Sequence, residues 1–256
     1  RGKPEICQTR YLVLTVRKKN YEEAKAYFIG LDAILEPLFE AVKSRLEPMN
    51  AVERLRTLFG MYRHGKESRF SWSWDSMIQS KRNWKNEILP SYMESHKDYI
   101  EIDGKYVSVL FALTLPNSLD ESKVMADLGN LTFPSMITLD HAPIPRIAVR
   151  NKLMAAGRNN ERAIHMEQER RMKAKNFVAG VSYEKQKKKE EIEGYLEQLD
   201  DNDENGYFFS MLVTVLADSE EELRNRIEAV RFIGEGLGGI EFVTYNFRQM
   251  KAFHTA

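Results

Sequence analysis

The chain has 256 residues, of which 43% are hydrophobic, so it can bury one large core or two ordinary ones. Its 38 basic and 38 acidic side chains give a formal net charge of zero, which excludes a whole-chain field that would draw it to nucleic acid or an anionic bilayer. The single cysteine, Cys7, excludes an internal disulfide, and no apolar run reaches the roughly 20 residues that would span a bilayer.

Three apolar, strand-like runs each lead into a signature that starts a helix. The runs cover residues 11–16, 107–115 and 208–216. The helix-start residues are Asn20, Ser118 and Ser219, each with a glutamate three residues later, at Glu23, Glu121 and Glu222. The Asn or Ser oxygen can accept from an orphan backbone N–H while the glutamate reaches back. Short strand candidates follow at 41–46, 135–139 and 240–245, so the sequence predicts three β-α-β units.

All three tryptophans, Trp72, Trp74 and Trp84, fall in a polar stretch, residues 63–90. It follows an amphipathic pattern over residues 52–62 that predicts a helix. Alternation over residues 70–74 indicates an extended segment. The tryptophans are interpreted either as anchors that tie a long loop to the core or as a partner-binding surface, because tryptophan is favoured at binding hot spots.

The dipeptide Asp103-Gly104 lies between two strand-like runs, residues 99–102 and 105–115, which predicts a hairpin with a tight primed turn. Pro143 and Pro145 are predicted to end the next strand. Residues 146–200 have a helical composition and are too many for one free-standing helix, so we expect two helices folded back on each other with a break at residues 180–182.

A basic run in this helical segment includes Lys187 and Lys188 and is followed at once by glutamates. Two explanations remain: a solvated helix face with i,i+4 ion pairs such as Lys187 with Glu191, or a surface that contacts phosphates.

These elements predict an α+β fold. Its second and third β-α-β units, separated by the helical insertion at about 146–200, have the element order of a duplicated ferredoxin-like domain over residues 99–256. Residues 1–98 are predicted to form an N-terminal β-α-β-α subdomain that includes the tryptophan loop.

The nearest match to a chemical motif runs from Gly60 to Glu67 and resembles a phosphate-binding loop. Glu67 replaces the hydroxyl residue that would hold magnesium, and an amphipathic helix precedes the loop in place of a strand. We therefore expect a helix end at Gly65. The glycines at 234–239 follow a helix and precede a strand, which predicts a tight turn. The sequence predicts no catalytic, cofactor or metal-binding residues.

Several segments together resemble the N-terminal region of the VirB/TraE-type ATPases of type IV secretion and conjugative transfer, in particular the Gram-positive conjugative-element branch. The segments follow the family's order: residues 10–16 before an acidic-capped helix, residues 53–59 before the turn at Gly65, the long charged helices, residues 209–215 with 219–223, and residues 249–253.

The resemblance implies a non-catalytic assembly domain of a longer protein, whose motor domain would bind ATP and magnesium. It also implies a place at the cytoplasmic face of the inner membrane, contact with other inner-membrane components, and self-association within a hexameric ATPase, without direct binding of nucleic acid. The expected contact residues are Trp72, Trp74, Trp84, Lys187 and Lys188, and deleting residues 151–198 is expected to abolish partner binding. The alternative is a stand-alone ferredoxin-like module that binds nucleic acid or a regulatory small molecule.

Overall fold

A computed structural model describes residues 8–81, 83–115, 126–173, 182–201, 206–236 and 239–256. The predicted α+β class is confirmed, because helices accompany one antiparallel sheet. The helices are α1 (Tyr21–Ala41), α2 (Ala51–Tyr62), α3 (Trp74–Ser80), α4 (Trp84–Ile88), α5 (Arg146–Lys173), α6 (Tyr183–Asp201), α7 (Glu220–Gly236) and α8 (Gln249–Thr255), with a 3-10 turn at Glu67–Arg69. The strands are β1 (Met93–Ser95), β2 (Ile100–Ile102), β3 (Lys105–Thr114), β4 (Ser135–Ile144), β5 (Gly206–Ala217) and β6 (Glu241–Thr244).

The strands are ordered β1-β2-β3-β5-β4, and β6 pairs with β3. Strands β2 and β3 form the predicted hairpin, with Ile100 opposite Val107. Its turn residues Asp103 and Gly104 have φ values of 49° and 80°, as a primed turn requires. Four consecutive residues at 107–110 of β3 are buried, which is typical of a strand covered on both faces.

The chain divides into two compact units, Arg1–Met136 with Thr214–Ala256, and Ile137–Val213. In the first unit, α7 buries Leu223, Ile227 and Val230. Its Gly234 lies so close to the following strand that a Cβ atom would meet the Ile240 carbonyl oxygen at 2.6 Å. Because only glycine fits there, Gly234 lets α7 pack closely against the strand, whereas the turn predicted at the glycines of 234–239 lies partly outside the described residues.

A smaller apolar cluster in the first unit joins α2 to α4. Its buried members are Leu55, Phe59 and Ile88. Helix α2 begins at a full capping box in which Asn50 accepts from two backbone N–H groups and Glu53 accepts from the Asn50 N–H at 2.8 Å. This cap and the short helices α3 and α4 were missing from the sequence prediction, as was α8.

The second unit contains the helical hairpin that the sequence predicts. Asn160 of α5 is buried and donates to the Lys185 carbonyl oxygen of α6 at 2.9 Å, and the Lys185 ammonium lies 2.6 Å from Glu167. The hydrogen bond from Lys185 lowers the pKa of Glu167. On the outer face of α6, Lys187 pairs with Glu191 at 3.9 Å. The predicted break at residues 180–182 lies largely outside the described residues.

The predicted N-terminal β-α-β unit is wrong in its strands. Residues 11–16 and 42–46 form no strand, and residue 41 is the last of α1. The helix start is confirmed, since the Asn20 side chain accepts from the Glu23 N–H at 2.9 Å. An apolar run forms a strand only when a neighbouring strand pairs with it, and local patterning does not supply that neighbour.

Two further expectations are corrected. Strand β4 continues through Pro143 and ends at Ile144, directly before Pro145, so only Pro145 ends it as predicted. Proline is tolerated in a strand at the end of the strand order, where β4 lies. Residues 70–74 form no strand, and Trp74 begins α3. The helix start predicted at Ser118 and Glu121 lies outside the described residues.

Candidate partner-binding cleft

A surface cleft of about 230 Å³ lies between the end of α2 and the start of the segment that follows α4. Arg63, the residue after α2, ties these two pieces together because its Nε donates to the Leu89 carbonyl oxygen at 2.9 Å. The central carbon of the Arg63 guanidinium group lies 5.5 Å from the centre of the Phe59 ring. Arg63 therefore lines the cleft, and its contacts with Leu89 and Phe59 fix the position of its side chain.

Polar groups of the turn after α2 form hydrogen bonds and ion pairs within the chain. Gly65 has a φ of +80°, and its N–H donates to the Glu67 carboxylate at 2.8 Å. The Lys66 ammonium lies 3.1 Å from the Asp103 carboxylate. In a phosphate-binding loop the corresponding N–H groups and lysine would face the phosphates. Here Glu67 and Asp103 are the partners of those groups.

Asp103 connects this turn to the hairpin of β2 and β3. Its carboxylate accepts from the Tyr92 N–H at 2.9 Å as well as from Lys66. Burial raises the pKa of Asp103, whereas the Tyr92 N–H and the Lys66 ammonium together lower it more, so the net pKa lies below the ordinary value. The ionised carboxylate thus stabilises the geometry beside the cleft.

Trp72 forms an aromatic wall of the cleft. It packs against the cluster of Leu55, Phe59 and Ile88. Its Nε1 is buried and has no hydrogen-bond partner among the described residues. A buried donor without an acceptor carries a desolvation cost.

Trp74 extends the aromatic surface outward. Its ring meets that of Trp72 edge to face, with the ring centres 4.8 Å apart, and 53% of the residue is exposed. Edge-to-face contact holds the ring in one orientation. A large aromatic side chain that is both oriented and half exposed is the type of residue that anchors a protein partner.

Trp84 begins α4, where Asn83 caps the helix by accepting from the Lys85 N–H at 3.1 Å. Trp84 is 39% exposed, and the Lys85 ammonium lies 5.7 Å from its ring centre. The basic residue Arg69 adds a further cation to the lining of the cleft. The lining of the cleft therefore combines aromatic rings and cations with the carboxylate of Glu87.

The five contact residues predicted from the sequence lie in three places, one of which is the start of α4, where Trp84 lies outside the lining of the cleft. Trp72 and Trp74 come together at the cleft, whereas Lys187 and Lys188 lie on the exposed side of α6 in the second unit. Sequence reasoning missed Arg63 and Asp103 as parts of the site. The capping signature of Asn50 with Glu53 could have located α2, and hence the turn that carries Arg63.

No protein-family model matches the chain, and no curated protein matches it. Within the described ranges, no helix is long and apolar enough to cross a membrane. The same residues hold no group of three or more His, Cys, Asp or Glu side chains that could bind a metal ion.

Proposed function

We propose that this chain is a non-catalytic docking module of a conjugative-transfer ATPase, and that the cleft beside Trp74 is where it meets the transfer complex. The observation that carries the proposal is the pair Trp72 and Trp74, one packed in the small core and the other half exposed beside the cations of the cleft. Rigid aromatic anchors beside arginine are the side chains that carry most of the binding energy at protein interfaces.

The order of elements supports the family resemblance on which the proposal rests. The elements from β3 to β6 follow the order β-α-β, helical hairpin, β-α-β if the helical residues 126–129 represent the first crossover. In the sheet, β5 lies between β3 and β4, and β3 lies between β5 and β6. We propose that this is the split arrangement of a ferredoxin-like fold.

In this proposal the chain binds inner-membrane components at the cytoplasmic face of the membrane and self-associates as part of a hexameric ATPase. ATP and magnesium would act in the motor domain of the longer protein. Gly65 and Lys66 belong to the segment of this chain that most resembles a phosphate-binding loop. Their donors bond to Glu67 and Asp103, which supports the proposal that ATP binds in the motor domain and not at this segment.

A ferredoxin-like module that binds nucleic acid or a small molecule is the second candidate. The observation in its favour is the charge of α5, which holds eight Arg and Lys residues against three Glu. Backbone phosphates attract such a helix in a strongly salt-dependent manner.

The experiment is a measurement of affinity between the chain and each inner-membrane component encoded with it. Trp74→Ala is expected to weaken binding at least about tenfold, because truncating a hot-spot residue removes well over 1 kcal/mol. The matched control is Phe232→Ala. Phe232 is an aromatic residue of α7 that is 78% exposed and does not line the cleft.

The control is expected to bind like the unaltered chain. If Trp74→Ala binds every component as tightly as the unaltered chain does, the docking role of the cleft is wrong. If the chain instead binds single-stranded DNA with a steep salt dependence and binds no component, the second candidate replaces the first.

A further inference from the structure

The cleft beside Trp74 lies in a basic part of a chain whose formal net charge is zero. The residues that line the cleft fall within positions 50–92, a stretch that contains eight Arg and Lys residues and four Asp and Glu residues. The compensating negative charge therefore lies in the rest of the chain. A local excess of one sign of charge favours partners of the opposite sign and disfavours those of the same sign.

Two arginines bring uncompensated positive charge to the lining of the cleft. Arg63 donates to the Leu89 carbonyl oxygen and lies over the Phe59 ring, and neither partner carries a full negative charge. Arg69 is exposed, and its side chain forms no ion pair with any of the described residues. Lys66 differs from both, because its ammonium lies 3.1 Å from the Asp103 carboxylate.

Glu87 also lines the cleft, and its carboxylate reduces this positive charge. If Glu87 is counted against one arginine and Asp103 against Lys66, the other arginine is still uncompensated. The lining is therefore positive whatever Glu87 contacts.

The size and the remaining lining of the cleft favour side chains of a protein as its occupant. Its volume of about 230 Å³ is below the roughly 300–1,000 Å³ of pockets that hold whole small-molecule ligands. Phe70 and Trp72 present partly buried aromatic surface there, and the Phe70 ring meets the buried Phe59 ring with the ring centres 5.4 Å apart. The cleft thus fits one or two side chains, with an apolar part and an anionic part.

We propose that the cleft binds an acidic segment of the partner protein. An Asp or Glu carboxylate of that segment meets Arg63 and Arg69, while a neighbouring apolar side chain packs on Phe70 and Trp72. The planar guanidinium group presents paired N–H donors that match a carboxylate. The inference rests on the proposed function, because it names the chemistry of the segment that docks in the cleft.

The test is a fluorescence-anisotropy titration of the chain with a labelled peptide in which glutamate and leucine alternate. The comparison is a matched peptide with glutamine in place of glutamate. The glutamate peptide is expected to bind at least about tenfold more tightly, because charge-assisted hydrogen bonds are about twice as strong as neutral ones. Added salt is expected to reduce this difference.

Arg69→Gln tests the cleft itself, with Arg248→Gln as the matched control. Both arginines are exposed in the first unit and both substitutions remove one positive charge, but Arg248 does not line the cleft. Arg69→Gln is expected to weaken binding of the glutamate peptide about tenfold, and Arg248→Gln to leave it unchanged.

Reversal of the charge separates recognition from damage to the fold. Arg69→Glu is expected to lose the glutamate peptide and to bind a peptide in which lysine and leucine alternate, which a misfolded cleft would not do. Because the Arg69 side chain is exposed, the unfolding temperature of each variant, measured alongside, is expected to equal that of the unaltered chain.

Equal affinity for the glutamate and glutamine peptides overturns the proposal, and so does equal weakening by Arg69→Gln and Arg248→Gln. If the chain binds neither peptide but binds oligo(dT), and Arg69→Gln abolishes this, the proposal is overturned and the cleft is assigned to phosphates.

The peptide titrations require no inner-membrane component, so their failure is distinct from failure of the proposed function, which Trp74→Ala tests. If Trp74→Ala weakens binding of a component and Arg69→Gln does not, the cleft docks that component but the inference of an acidic segment is wrong.

Discussion

Gln249 shows how a single buried polar residue can organise the first unit. Its side chain is fully buried, accepts from the Val109 N–H at 2.8 Å and donates to the Val109 carbonyl oxygen at 3.1 Å. The amide therefore satisfies both backbone groups of one residue of β3, as a neighbouring strand would do. This bond fixes α8 to β3, and it explains why a glutamine is tolerated in the core.

Asp103 is the residue that links the cleft to the sheet, and its ionisation gives the fold a pH dependence. Its pKa lies below the ordinary value of 3.8 because the Tyr92 N–H and Lys66 together outweigh the effect of burial. The folded state thus binds the proton less tightly than the unfolded chain does. The ionised carboxylate stabilises the fold above the unfolded pKa, and this contribution is lost as the pH falls through the folded pKa.

We predict that Asp103→Asn lowers the unfolding temperature at neutral pH and that its difference from the unaltered chain shrinks as the pH falls below 3.8. Asparagine also tolerates a positive φ, so the substitution removes the charge and keeps the turn. Thermal unfolding across this pH range checks the prediction, with Asp32→Asn on the exposed side of α1 as the control. A difference that is independent of pH would contradict the role given to the charge.

At the scale of the element, α1 and α2 begin with the same chemistry but contribute differently to stability. Asn20 and Asn50 both accept from the backbone N–H three residues later, at 2.9 Å and 3.0 Å. Helix α2 buries Leu55 and Phe59, whereas α1 buries nothing. The stability of a helix in a protein comes mainly from the packing of its apolar face, so only the cap of α2 is coupled to the core.

We predict that Asn50→Ala lowers the unfolding temperature by about 2–4 °C, the effect of losing a cap that contributes about 1 kcal/mol in a chain of this size. Asn20→Ala is expected to leave that temperature unchanged and to speed amide hydrogen exchange in the first turn of α1, which can open locally. Calorimetry and hydrogen exchange give the two readings. If Asn20→Ala lowered the unfolding temperature as much as Asn50→Ala does, α1 would be coupled to the core and the prediction would be wrong.

The elements that sequence reasoning predicted well are those whose cause is local. The caps at Asn20 and Ser219 and the primed turn at Asp103 depend on residues three or fewer positions apart. The strand predicted at residues 11–16 failed because a strand depends on a distant partner. At the cleft, the tryptophans could be selected by type, but the contact of Arg63 with Leu89, across 26 positions, could not be read from spacing.

On the scale of the whole molecule, large apolar side chains among the described residues are exposed both at the cleft, where Trp74 is 53% exposed, and on α1, which buries none of its residues. The lining of the cleft combines cations with aromatic rings, which are the side chains that contribute most to binding at protein interfaces.

The most direct test of the docking role is the solvent exposure of Trp74 in the complex. With Trp72→Phe and Trp84→Phe, Trp74 is the only source of tryptophan fluorescence. We predict that binding of an inner-membrane component of the transfer complex lowers acrylamide quenching severalfold and shifts the emission to the blue, because a hot-spot residue is fully desolvated in an interface. Quenching and emission that stay at the values of the free chain while the component is bound would contradict the account.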